Sequence, residues 1–201
     1  MIAPYLVPLF IEPLSEKYPE LQVEIVETGI REMALHLENE ELDGGIAIHP
    51  FDKEGFYEEI LFDEKFVLYV GSDHPLSKQK VVSWNEIPFG DLILQEDLQA
   101  HFLRPASKKN DQSNLSRKIR NIHIQSGSFE TIRKIIDRNG GLTLLPQLST
   151  LYMGARRLKM IRPLEDPVIS RKIVLVTPRG FEKNRITKVI RSEILNNLPA
   201  Q

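Results

Sequence analysis

The chain has no cysteine, only one tryptophan, and no long apolar run. The missing thiols exclude disulfides, thiolate metal sites, thiol nucleophiles and any thiol–disulfide switch within these 201 residues. No apolar stretch approaches the roughly 18 residues needed to span a bilayer, and no basic segment followed by an apolar one opens the sequence. A cytoplasmic protein without membrane contact is the expectation. The histidines are His36, His49, His74, His101 and His123, and no two stand three or four residues apart, so helical metal spacing is missing. The glycine patterns that cradle phosphates, G-x-G-x-x-G and G-x-x-x-x-G-K-[ST], are absent. Ser126 and Ser128 precede a helix, but the local order Gln125-Ser126-Gly127-Ser128-Phe129 is not the G-x-S-x-G turn of a serine nucleophile. Catalysis, a metal and a cofactor are therefore not expected.

What is present is ordinary globular composition with an uneven charge distribution. Apolar residues make up 41% and charged residues 27%, with a net charge of −2. Residues 1–65 hold 16 Asp/Glu against 4 Lys/Arg, whereas residues 66–201 hold 12 against 22. The basic residues are spread over many elements without interleaved aromatics, which argues against direct nucleic-acid binding by this segment. Between residues 95 and 120 lie Arg104, Lys108, Lys109, Arg117, Lys118 and Arg120 against the acids Glu96, Asp97 and Asp111, and a solvated loop is expected there.

The most informative stretch is Ile122–Pro146, IHIQSGSFETIRKIIDRNGGLTLLP. It reads as strand, Ser/Gly turn, amphipathic helix, Gly-Gly turn and buried strand. Ser128 is positioned to cap the helix. Phe129, Ile132, Ile135 and Ile136 fall on one helical face, and Glu130, Arg133, Lys134 and Asp137 on the other. Gly140 and Gly141 supply the permissive backbone that ends the helix. A helix N-terminus offers unpaired N–H groups and partial positive charge, so Ser126-Gly127-Ser128 is a candidate seat for a carboxylate or another anion. The same residues equally suit an ordinary capped helix.

Elsewhere the spacing predicts a helix over 4–18, with Leu9, Phe10, Leu14 and Tyr18 inward and Pro13 kinking or interrupting it. A strand is predicted at Leu21–Glu27, a helix at Ile30–Glu38 with Met33, Ala34 and Leu37 inward, and a turn into a short strand over Leu42–Ile48. Phe66–Gly71 and Lys172–Thr177 read as strong strands, Leu92–Leu94 as a short one. A short helix is expected at Pro146–Gly154, and Lys183–Leu195 as a closing helix with Ile186, Val189, Ile190 and Ile194 inward. The rhythm is that of two β-α-β groups in a mostly parallel sheet. Two strands joining two α/β lobes imply a hinged pair with a cleft.

The order and spacing of IAPYLVPLF, YPELQVEIVE, ELDGGIAI, LFDEKFVLYVGSDHPL, SGSFETIRKIIDRNGGLTLLP and KIVLVTPRG resemble the effector-binding domain of LysR-type bacterial transcriptional regulators. The resemblance implies an α/β fold of two Rossmann-like lobes joined by two crossover strands, like a type-2 periplasmic binding protein. Lobe I would be residues 1–71 plus 177–201, lobe II residues 72–176, and the crossovers Phe66–Gly71 and Lys172–Thr177. The winged helix-turn-helix DNA-binding domain that precedes this domain in the family is not in these residues, so a piece of a longer regulator is expected. His101-Phe102-Leu103-Arg104 resembles the His-Cys-Leu-Arg segment of the peroxide-sensing OxyR-like branch, with Phe102 at the place of the reactive cysteine. Thiol-based peroxide sensing is therefore not expected.

By the same resemblance the ligand-binding residues would be Met1, Ile2, Ile30, His101, Phe102, Leu103, Ser126, Gly127, Ser128 and Thr143. Met1 falls where the family often carries Ser or Thr. Ile2, Ile30, Phe102 and Leu103 equally suit core packing. The implied function is sensing of a small, anionic effector, with DNA reached only through the separate N-terminal domain. The rival is a solute-binding protein of a transport system, against which the sequence's lack of an opening signal peptide counts. Lobe I carries 18 acids and 9 bases, lobe II 10 acids and 17 bases. That polarity predicts an antiparallel homodimer, with a tetramer open to the longer protein.

Overall fold

The computed structural model describes residues 2–95, 98, 128–165, 168–180 and 185–199. Within it the chain gathers into two compact units: one from Ile2–Glu64 and Ser170–Gln201, the other from Lys65–Ile169.

In the first unit, helix α1 (Ala3–Lys17) runs unbroken through Pro8 and Pro13 and buries Tyr5, Leu6, Phe10 and Leu14. The expected interruption at Pro13 does not occur. A proline removes one backbone donor, and here the buried side of α1, packed against the C-terminal helix α5 (Arg185–Asn196), holds the helix together regardless. Phe10 and Leu14 are buried as predicted and the stripe extends back to Tyr5 and Leu6, while Leu9 and Tyr18 are only half-buried. Helix α2 (Ile30–Glu38) buries Met33, Ala34 and Leu37 as its periodicity requires. They pack on Ala47 of β1 (Gly45–Ile48) and on Val174 and Val176 of β5 (Ser170–Pro178). Phe51 and Phe56 close that core edge-on, with centroids 5.3 Å apart. β5 pairs antiparallel with β1, Gly45 opposite Val176 through Ile48 opposite Ile173.

Two further expectations fail in this unit. Residues 21–27 form no strand, and Val23, Ile25 and Val26 are exposed. Alternation alone does not make a strand when no neighbouring backbone supplies the ladder, and among the described residues none does. In α5, Ile186 faces outward, while Thr187, Glu193 and Ile194 are buried. Lys17 at the end of α1 reaches Glu193 and donates to its carboxylate, so a charged residue takes an inner position that pattern-reading reserves for an apolar one.

The second unit is built on the latter half of the long strand β2 (Phe56–Val70). It lies between β3 (Leu142–Pro146) and the two-residue β4 (Ile161–Arg162), both antiparallel to it. Alternation sorts its side chains into two layers. Phe66, Leu68, Val70, Leu142 and Leu144 join Leu76, Val82, Leu92 and Leu94 on one face. Val67, Tyr69 and Leu145 join Ile132 and Ile136 of helix α3 (Phe129–Asn139) on the other. Each fully buried aliphatic of these layers contributes about 1.5–3 kcal/mol. Thus Phe66–Val70 of β2 and Leu142–Pro146 of β3 are buried at every position because both faces are covered.

The expectation of a mostly parallel sheet is corrected. Among the described residues all strand pairs with a defined register are antiparallel, and parallel pairing is confined to the bridges Val82–Leu164 and Leu92–Leu142. Leu92–Leu94 is accordingly a buried segment with one bridge rather than a strand. The unit limits also fall earlier than those read from sequence, after Gly71 and after Val176. Phe66–Val70 pair with Leu142–Pro146, and Ile173–Val176 pair with Gly45–Ile48, so hydrogen bonding assigns these segments. The expected helix at Pro146–Gly154 is only a short 3-10 turn at Gln147–Thr150, followed after Gly154 by the single turn α4 (Ala155–Leu158). No described helix is long and apolar enough to cross a membrane.

Candidate functional site

Ser128 is the N-cap of α3: its backbone is extended, with φ −111° and ψ 118°, and its Oγ accepts from the Thr131 N–H at 3.3 Å. Its carbonyl accepts from the Ile132 N–H at 3.2 Å. Ile132 and Ile136 then plant the helix on β2 and β3, which fixes where its N-terminus opens. The first turn carries Glu130, an acid that would oppose an incoming anion. Arg133 engages it through Nε at 3.0 Å and through Nη2, and this bonding holds the Glu130 carboxyl below the usual carboxylate range. The local charge at the turn is thereby offset rather than left negative.

Arg133 is itself nearly inaccessible, at 5% exposure, although helical spacing predicted it outward. It bridges Glu130 and Asp137, the latter through Nη1 at 3.3 Å. Asp137 also accepts from the Tyr69 hydroxyl and, at 3.4 Å, from Arg157 Nε. Burial, followed by the hydrogen bond to Asp137, raises the Tyr69 phenol to about 12. This network locks α3 to β2. Sequence reading missed it because Tyr69 and Asp137 stand 68 positions apart.

Thr143, opposite Tyr69 in the β2–β3 ladder, has no exposed surface, and its Oγ1 donates to the Leu144 carbonyl at 3.4 Å. Ser128 and Thr143 belong to the Lys65–Ile169 unit. Ile2 and Ile30 belong to the other: Ile2 is the half-buried N-cap of α1 and Ile30 the exposed first residue of α2. Met1, His101, Phe102, Leu103, Ser126 and Gly127 lie outside the described residues. Gln95, buried at 1% exposure directly after the Leu92–Leu94 segment, is a polar residue that sequence reading passed over. Its signal was a lone amide following a run of buried aliphatics. No cluster of three or more His, Asp or Glu able to hold a metal occurs among the described residues.

The fold is that of the periplasmic-binding-protein-like α/β domains found in bacterial regulators. The crystal structure of OxyR from Porphyromonas gingivalis matches with a TM-score of 0.86 at 22% identity, over 98% of this chain and 89% of that one. The reduced OxyR regulatory domain from Pseudomonas aeruginosa matches with a TM-score of 0.78 at 24% identity, over 97% and 93%. The chain belongs to the LysR substrate binding domain family, whose model matches residues 1–198. Among curated relatives, the hydrogen peroxide-inducible genes activator of Haemophilus influenzae is 30% identical over 189 residues, 94% of this chain and 62% of that protein. The DNA-binding transcriptional dual regulator OxyR of Escherichia coli K12 is 29% identical over 205 residues, 96% of this chain and 63% of that protein. The chain thus spans about three fifths of the length of these relatives.

Proposed function

We propose that this chain is the sensing domain of a cytoplasmic LysR-type transcriptional regulator that binds a small anionic effector and passes the signal to DNA through a separate N-terminal domain. Membership of the family over residues 1–198 carries this reading. It also disfavours the rival role of a transport solute-binding protein, since the relatives are regulators. Ser128 supports the anionic class: it caps a helix whose first-turn acid is offset by Arg133. The binding set expected from the resemblance, Met1, Ile2, Ile30, His101, Phe102, Leu103, Ser126, Gly127 and Thr143, belongs to the same proposal. Thiol-based sensing of peroxide is not expected of this chain, because it has no cysteine to oxidise. Effector binding acts by its differential affinity for two conformations of the domain.

The test is a thermal-shift screen against acetate, citrate, glutamate, benzoate and inorganic anions, with peroxide as a separate arm. A ligand at about 100 times its Kd stabilises by roughly 2.7 kcal/mol. A hit lost in Ser128→Asp, which keeps a capping oxygen but adds negative charge, supports the reading. A hit indifferent to that substitution, or a response to peroxide alone, overturns it. The opposed charges of the acidic and basic portions of the sequence further support a homodimer with antiparallel copies. Sedimentation velocity checks it, and a monomer at micromolar concentration would refute it.

A further inference from the structure

The Lys65–Ile169 unit contains a second polar feature, at the other end of α3 from Ser128. Asp137 lies nine positions after Ser128, about 13.5 Å along the axis at roughly 1.5 Å per residue. There Asp137 borders a concavity of about 680 Å³, within the size range of small-molecule sites. Its cations come from one short stretch, Arg156, Arg157, Lys159 and Arg162, and Asp137 is the only acid among its described lining residues. That acid is already engaged by Tyr69, Arg133 and Arg157. Arg156 and Lys159 are exposed and have no carboxylate partner among the described residues. Arg162 is held by main-chain oxygens: Nη1 donates to Lys159 and Ile161 at 2.7 Å each, and Nη2 to Ser77. These carbonyls fix the guanidinium but bring no formal charge to balance it. Its buried Nε has no hydrogen-bond partner among the described residues.

Four cations and one acid around a ligand-sized hollow leave an excess of positive charge among its described lining residues. A scattered, solvated face would not bring four cations to one concave wall, and the lining residues of this hollow are too clustered to form the extended stripe that tracks a nucleic-acid backbone. We propose that this concavity is a binding site for a small multivalent phosphate, a pyrophosphate or phosphate-ester group, separate from the effector turn at Ser128. Arg157, oriented by Asp137 through Nε, supplies a fixed fork of Nη donors for phosphate oxygens, Arg162, held by backbone with one Nη2 N–H left over, supplies a fixed charge, and Arg156 and Lys159 supply mobile charge.

Isothermal titration of the full chain with pyrophosphate tests this at an ionic strength of about 0.1 M, where the Debye length is about 10 Å. Sulfate at matched ionic strength and a short duplex DNA are the comparison arms. Saturable pyrophosphate binding, tighter than sulfate and weakened about tenfold or more in Arg156→Glu/Lys159→Glu, is the expected result. Both positions are exposed, so the variant should keep the melting temperature of the parent. The charge-conserving variant Arg156→Lys/Lys159→Arg should retain binding, which controls for effects of substitution at these positions other than charge. No saturable binding, binding unaltered by charge reversal, or tighter binding to the duplex would overturn the proposal. So would a pyrophosphate-dependent fall in sedimentation coefficient, which would mean that the cations face a second copy of the chain.

Discussion

Arg171 donates through Nε to Glu64 Oε2 at 2.5 Å, and both side chains are completely shut off from solvent. Arg171 Nη2 also donates to the Tyr5 hydroxyl at 3.0 Å. Burial, followed by the charge of Glu64, holds the Tyr5 phenol well above its usual range, so it stays neutral. The cluster ties α1 to β2 and β5. Breaking a buried pair strands the remaining charge, at about 3–5 kcal/mol. Arg171→Met and Glu64→Gln should each lose stability on that scale in urea denaturation, and Glu64→Leu/Arg171→Met should recover most of it. Additive losses in the double variant would contradict the pairing.

Gly71 meets the turn after α3 at close range. Its N–H donates to the Gly141 carbonyl at 2.8 Å, and a Cβ built on it would lie 2.8 Å from Gly140 Cα. Neither backbone has a flexible end that could yield. Gly71→Ala should therefore destabilise the protein by about 1–3 kcal/mol, as overpacking does. An unchanged denaturation midpoint would show that the contact is slack.

Removing the cap oxygen in Ser128→Ala should cost about 1 kcal/mol of stability, whereas Ser128→Asp should keep it. The pair separates the structural role of the hydroxyl from anion binding. Equal stability of the alanine variant and the parent would mean that the cap bond contributes nothing.

Tyr69→Phe should cost about 1–2 kcal/mol at neutral pH by removing a buried hydrogen bond to a charged acceptor. Because the folded pKa is raised to about 12 from an ordinary value of 10.0, the native state retains the phenolic proton longer than the unfolded chain. The contribution of Tyr69 is complete below about pH 10 and is lost as pH rises through about 12. The stability difference between parent and Tyr69→Phe should be flat up to about pH 10 and shrink above it. A difference that grows with alkalinity would reverse the assigned sign.

Several elements were legible because local rules and tertiary packing agree. Helix α2 has the bounds that its apolar period predicts, and Ser128 and Gly140 bracket α3 as cap and positive-φ terminator, with Gly140 at φ 73°. Arg133 was misplaced because a helical wheel ranks faces by polarity, while its guanidinium is buried by Glu130 and Asp137 together. Residues 21–27 were misread because alternation states what a strand needs, not whether a partner is present. The basic hollow near Arg162 left no motif, since its walls come from Ser77, Asp137 and the 154–162 stretch, distant in sequence.

By itself the sequence determined the absence of thiol chemistry, the apolar layers of β2 and β3, the capped helix that follows Ser128, and the resemblance to a regulator family. These rest on residue type, short-range period and the order of segments, all carried by the chain directly. Only the tertiary structure decided the antiparallel register of β1 with β5 and β2 with β3, the burial of Glu64 with Arg171, and the meeting of Tyr69, Arg133, Asp137 and Arg157. Those depend on contacts between residues remote in sequence, where desolvation and hydrogen-bond partners, rather than local propensity, set which charge is buried and which stays exposed.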